Sequence, residues 1–275
     1  MEAKIVISDF DGTLYTPQHQ YHAKDLDTLR LLGRQGFVRV IATGRSMYSL
    51  QKVLPNDFPI DYIIFSSGAG IFEWKSRLLL FGIQLQPEEV KEITTRLYEH
   101  KFDFMLHEPI PHNHRFVYYL HDNMHPDFER RLKLYAPYAE RVHVLPIERP
   151  ATQAIVINAD GAAAQQVLGR IFSRYNVIRT TSPLDGETRW LEIFPKNVSK
   201  ANAAEWLCKY LYIQPEESIA VGNDYNDQQL LDWAALSFIT ETAPAELKAR
   251  YRITLSPAQA GFSKAVLKAI RFTED

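Results

Sequence analysis

A single cysteine, Cys208, occurs in 275 residues, so no intramolecular disulfide can form and the chain fits a reducing compartment. It falls in AAEWLCKYL, a helical pattern, and reads as an inert packing thiol rather than a nucleophile. No apolar run approaches the roughly 20 residues that span a bilayer. The start, MEAKIVISDFDG, lacks the basic segment, apolar centre and small-residue cleavage site of a signal peptide. The expectation is a soluble, cytoplasmic protein without a membrane partner. Neither sign of charge dominates: 31 Lys and Arg against 33 Asp and Glu leave a formal net charge of −2, so no global field points to nucleic acid. Internal repeats and low-complexity tracts are absent. No G-x-x-x-x-G-K-[ST] occurs, which leaves a P-loop unsupported. The G-x-G of SSGAGIF is too weak a signal for a dinucleotide site, and its glycines are read as turn residues.

What is present is an alternation of short β-branched runs and amphipathic stretches. AKIVIS (3–8), FVRVIAT (37–43) and DYIIFSSG (61–68) read as strands, separated by a helix over 24–35 and a short helix in SMYSLQKVL. Such β-α-β-α-β order with short connections predicts an α/β fold, a doubly wound parallel sheet with helices on both faces. The pattern then changes. IFEWKSRLLLFGI reads as a hairpin. Helix 87–99 and the strands FDFMLHE and RFVYYL come next, followed by a helix near 126–136 and strand QAIVINA. A helix over 161–174 precedes two strands around the turn signal SPLDGET. Strands paired by turns, with helices between, predict a small α+β domain inserted into the first. From Ser199 the parallel pattern resumes, with strand SIAVG (218–222) and a last helix over 262–271. The expected organisation is a discontinuous core, 1–84 and 195–275, with an insert over 85–194.

In a doubly wound sheet, ligands bind at the carboxyl ends of the strands. Asp9 and Asp11 follow the first strand, Thr43-Gly44-Arg45 follows the second, and GNDYND (222–227) follows SIAV. Segments far apart in sequence therefore converge on one sheet edge. Two carboxylates so close together repel without a cation, and an oxygen-rich pocket suits Mg²⁺. Arg45 adds a site for an anion, or pairs with one of the carboxylates. Carboxylates, a hard cation and a basic group around one point describe phosphoryl transfer.

DFDGT at 9–13, ATGR at 42–45, PKNVSKANA at 195–203 and GNDYND at 222–227 resemble, in order and spacing, the four motifs of the haloacid dehalogenase (HAD) superfamily. The insert of roughly 110 residues between the second and third motifs resembles the Cof-like sugar-phosphatase branch, with its C2-type subclass B cap. The resemblance covers essentially the whole chain. It implies that Asp9 is a nucleophile forming an aspartyl-phosphate and that Asp11 is the general acid and base. Thr43, with Gly44 and Arg45, would contact the phosphoryl group, and Lys200 would balance charge beside it. Mg²⁺ would be held by Asp9, the Asp11 backbone carbonyl, and Asn223 with Asp227. Relatives mostly carry Asp where this chain has Asn223, so Asp224, one residue on, is the rival ligand. Ser67 likewise stands where the family often has Asn. The implied substrate is a small phosphorylated metabolite, a sugar phosphate, over which the cap would close. A sugar phosphomutase and a non-catalytic phospholigand-binding homologue are the alternatives.

The insert also carries His107, His112, His114, His121 and His125. Their spacing, His-x-His in PHNHR included, sets out no ligand framework for zinc. Its aromatics at strand spacing read as sheet packing.

Overall fold

The computed structural model describes residues 3–18, 20–121, 124–157, 162–182, 184 and 188–273. Of the SPLDGET turn, only Ser182, Leu184 and Thr188 are among them. The chain forms two compact units. One comprises Met1–Arg45, Val53–Phe81 and Ser199–Asp275; the other comprises Ser46–Lys52 and Gly82–Val198.

The first unit is built on an eight-stranded sheet. Its order is Arg252–Thr254, Leu236–Thr240, Ser218–Gly222, Ile5–Asp9, Val38–Ala42, Tyr62–Phe65, Gly70–Glu73, Leu78–Gly82. The first six strands are parallel, and Gly70–Glu73 turns back antiparallel against Tyr62–Phe65. Ile5–Asp9 and Ser218–Gly222 are buried along their whole length, as strands covered on both faces must be. Helices Lys200–Tyr210 and Gln228–Trp233 bury Ala203, Ala204, Leu207, Leu230 and Leu231 against Ile5, Ile7, Val40 and Ala220. The helices Ala23–Arg34 and Gly261–Thr273 pack against each other and are joined by a buried polar contact. There the Asp25 carboxylate accepts from Ser263 N at 2.8 Å and Ser263 Oγ at 2.6 Å.

The second unit is an α+β layer. Its six-stranded sheet has the order Ala139–Arg141, Phe116–Tyr119, Phe104–His107, Gln153–Ile157, Arg189–Phe194, Asn176–Thr181. Alternation along the strands sorts its two faces. Phe104, Leu106, Ala154, Val156, Leu191 and Ile193 meet helices Pro87–Glu99 and Ala162–Ile171 on one face. On the other, Met105, Ile155, Ile157 and Trp190 meet Phe128 of helix Pro126–Leu134. Helix Pro87–Glu99 starts where its residue types demand: Pro87 opens it, and Glu89 reaches back to the Gln86 N–H at 2.8 Å. The chain is thus an α/β core carrying an inserted α+β cap domain.

Candidate active site

All the residues singled out in the core motifs lie in the first unit: those of the first, second and fourth motifs follow the carboxyl ends of its central strands, and Lys200 opens a helix. Asp9 is the last residue of strand Ile5–Asp9 and is 4% exposed. After it the chain turns sharply: Gly12 takes φ +78°, a value that favours glycine, and its N–H donates to the Tyr15 carbonyl at 2.8 Å. The turn brings Thr13 back over the strand end, where its hydroxyl donates to Asp9 Oδ2 at 3.2 Å. Asp9 Oδ1 faces the other way and accepts from Lys200 Nζ at 2.6 Å.

Lys200 reaches this point because of how its helix begins. Ser199 caps helix Lys200–Tyr210, its hydroxyl accepting the Asn202 N–H at 3.0 Å, so Lys200 opens the helix. The side chain is 1% exposed, and its ammonium also donates to Asp227 Oδ1 at 2.6 Å. The other oxygen of Asp227, Oδ2, accepts the backbone N–H groups of Asn223 at 2.8 Å and Asp224 at 3.1 Å. A Cβ on Gly222 would fall 2.6 Å from the Asp227 Cβ, so only glycine leaves room for this carboxylate.

One ammonium therefore lies between two buried carboxylates. Burial works against the Lys200 charge, but Asp227 and Asp9 outweigh it and hold its pKa above the ordinary lysine value. Burial pushes the Asp9 carboxyl up, to about 8, the Asp227 charge adding to the shift and Lys200 opposing it. Negative charge is in surplus at the point where Asp9 sits. An all-oxygen donor set with surplus negative charge suits a hard divalent cation. Asn223 fits such a role, since its amide lies against the turn after Asp9: a Cβ on Gly12 would fall 2.2 Å from its nitrogen. The rival, Asp224, precedes the short turn Tyr225–Asp227, and its backbone carbonyl accepts the Asp227 N–H at 3.0 Å. Among the described residues no three His, Cys, Asp or Glu side chains form a ready-made cage. Magnesium does not need one, because it keeps several waters.

Thr43 is buried at the end of strand Val38–Ala42, and its hydroxyl accepts the Arg45 N–H at 3.1 Å. The Arg45 guanidinium turns to Asp11, with Nε on Oδ2 and Nη2 on Oδ1, both at 2.7 Å. Of the two roles the sequence left open for Arg45, the pairing with a carboxylate is the one on display. Gly44 lies between the loops, a Cβ there meeting Ser67 Oγ at 3.5 Å and Asn226 Nδ2 at 3.7 Å.

Two positions, Thr13 and Gly68, have roles that the sequence reading does not reach. Thr13 was passed over although its hydroxyl lies four residues from Asp9 in DFDGT. Asp227, expected at the metal side with Asn223, has Oδ1 on Lys200 and Oδ2 on the Asn223 and Asp224 N–H groups. The glycines of SSGAG were read as turn residues only. Gly68 also admits the helix start beside Lys200, because a Cβ there would fall 2.2 Å from the Ser199 carbonyl oxygen. Among His107, His112, His114, His121 and His125 of the insert, His112 and His114 lie together, with ring centres 6.3 Å apart, and the others have separate partners. His107 is buried, with Nδ1–H donating to the Asn113 carbonyl at 2.7 Å, His114 stacks on Tyr48, His121 stacks on Tyr98, and His125 caps helix Pro126–Leu134.

Residues 6–266 match the model of the haloacid dehalogenase-like hydrolase family. A Haemophilus influenzae protein carrying the name "Putative phosphatase" is 26% identical over 255 residues, 90% of each chain. A Bacteroides thetaiotaomicron HAD-superfamily phosphatase structure aligns with TM-score 0.79 and 19% identity, covering 98% of this chain and 96% of its own. The structure of a HAD subclass IIB sugar phosphatase aligns with TM-score 0.75 and 18% identity, over 98% and 100%. The structural likenesses carry the fold, and the family match spans nearly the whole length: the chain belongs to the haloacid dehalogenase-like hydrolases.

Proposed function

We propose that this protein is a Mg²⁺-dependent phosphomonoesterase acting on a small phosphorylated metabolite, a sugar phosphate, through an aspartyl-phosphate on Asp9. The observation that carries the reading is the setting of Asp9: a strand-end carboxylate held between the Lys200 ammonium and the Thr13 hydroxyl, with Asp11 two residues on. The names of the relatives, a phosphatase and a sugar phosphatase, support the reaction and the substrate class.

In the first step an Asp9 oxygen forms a bond to phosphorus as the bond to the leaving oxygen breaks, and the Asp11 carboxyl gives that oxygen its proton. In the second, the Asp11 carboxylate takes a proton from water while the water oxygen displaces Asp9, releasing inorganic phosphate. Splitting the displacement makes each half easier, and acid–base help of this kind is worth roughly 10²–10⁴-fold. Lys200 keeps Asp9 aimed and offsets charge on the transferring group, and the Thr43 hydroxyl donates to it. Asp9, the Asp11 carbonyl and the Asn223 amide oxygen are the residues that would hold Mg²⁺, with Asp227 fixing the Asn223–Asp224 backbone. The ion supplies charge neutralisation on the phosphoryl oxygens.

The test is a screen of sugar phosphates, nucleotides and an aryl phosphate, with and without Mg²⁺, for inorganic phosphate release. Asp9→Asn is expected to lower turnover by at least about 10³-fold. Release that survives in the purified variant would remove Asp9 as nucleophile. Isomerised sugar phosphate without release would make the protein a mutase, and binding without turnover a phospholigand-binding homologue.

A further inference from the structure

The general acid–base carboxylate of the proposed reaction is held by a second side chain, and that side chain is itself held. Both oxygens of Asp11 accept from Arg45, Nε and Nη2, at 2.7 Å each. A two-point guanidinium–carboxylate pair fixes the carboxylate plane as well as its distance. The Arg45 side chain is only 22% exposed, and its guanidinium lies 5.5 Å from the ring centres of both Phe10 and Tyr15. Those rings stack on each other at 5.1 Å and 5°. Tyr15 packs on Tyr21 at 5.4 Å and Tyr21 on Phe58 at 4.9 Å, and the Tyr21 hydroxyl donates to the Val53 carbonyl at 2.7 Å. An unbroken aromatic wall therefore stands behind the guanidinium.

We propose that Arg45 is a positioning residue that acts through Asp11, holding one of its oxygens while the other leaves Arg45, carries the proton and faces the leaving-group oxygen, rather than a ligand of the phosphoryl group. This rests on the phosphatase reading above. A phosphoryl anion could engage the same two nitrogens only by breaking both bonds to Asp11. Lysine cannot replace arginine here: its single ammonium keeps the charge over the rings but offers no fork.

The experiment measures kcat/KM for a sugar phosphate and for p-nitrophenyl phosphate, whose good leaving group needs little protonation. Wild type, Arg45→Ala, Arg45→Lys, Asp11→Asn and the Arg45→Ala/Asp11→Asn double variant are compared, each first shown to be folded by its thermal transition. Arg45→Ala and Arg45→Lys should lower kcat/KM for the sugar phosphate by about 10–100-fold and for the aryl ester by less than about threefold. In the Asp11→Asn background the Arg45 change should add less than about threefold, because the two act as one unit. The Ki of inorganic phosphate should stay within about threefold of wild type. If both substrates fall equally, if the losses multiply in the double variant, or if the phosphate Ki rises tenfold or more, Arg45 binds the phosphoryl group and the proposal is overturned. Full activity in Arg45→Lys would overturn it too. If Arg45→Ala does not fold, Arg45→Lys carries the same comparison. Failure of the underlying reading has a different signature: phosphate release by the wild type that is absent, or that does not depend on Asp9.

Discussion

Lys200 is the residue on which the electrostatics of the site turn. Its ammonium is shared by Asp9 and Asp227, each at 2.6 Å, with all three side chains buried. Removing the cation leaves two buried carboxylates facing each other. Removing one carboxylate leaves a balanced pair. Breaking a buried ion pair costs about 3–5 kcal/mol when an uncompensated charge remains. Lys200→Met is therefore expected to lose stability on that scale, whereas Asp227→Asn loses roughly 1–2 kcal/mol, the worth of the hydrogen bonds it weakens. Urea unfolding of the two variants checks the order, and equal losses would contradict the shared-ammonium account. The pairing of Lys200 with Asp227 lies 27 residues across the chain, so no local pattern announced it. Asp9 and Asp11 were legible because two carboxylates at a buried strand end are costly without a chemical use.

At the scale of elements, the loop Ser66–Gly68 decides where the Lys200 helix starts. Ser66 and Ser67 take φ values of 49° and 57°, and Gly68 takes 103°. Gly68 then lies against the Ser199 carbonyl, with no room for a Cβ. Gly68→Ala must adopt a strained φ and also push back the cap of helix Lys200–Tyr210. The expected loss is at least about 2 kcal/mol of stability, accompanied by lower activity because Lys200 moves with its helix. Gly82→Ala, where a Cβ meets nothing within 4 Å, is the control for a glycine on the same sheet. Equal melting points for the two variants would rule this contact out as a constraint. The strands themselves were readable from β-branched runs, and the helices from their spacing and caps. Hidden from sequence were the packing of Ser46–Lys52 with the inserted unit and the short strand Ala139–Arg141, because neither rests on a local pattern.

Over the whole molecule, acid stability should carry a mark from His107. Burial, with the Arg131 charge adding to it, lowers its pKa to about 3, although the Asn113 carbonyl opposes the shift. Above about pH 6.5 the imidazole is neutral whether the chain is folded or not. As the pH falls towards 3, only the unfolded chain takes up the proton, so stability is lost across that window. The slope amounts to about 3 kcal/mol between pH 6.5 and 4. Denaturant unfolding at several pH values should show His107→Gln losing less stability over this range than the wild type. Parallel pH curves would mean that His107 does not titrate on unfolding.

The sequence by itself determined the longer elements, the α/β class and the inserted α+β part, because helix and strand periodicity and turn chemistry are local. It also determined which strand ends carry carboxylates, a threonine and an arginine. Only the tertiary structure decided what each of these side chains touches. Arg45 bonds Asp11, Asp227 bonds Lys200, Thr13 bonds Asp9, and Asn223 lies against Gly12. The reason is physical: a charged side chain takes the partner that the fold brings within about 3 Å, and that distance is set by the packing of residues far apart in sequence, such as Asp9 and Lys200, separated by 191 positions.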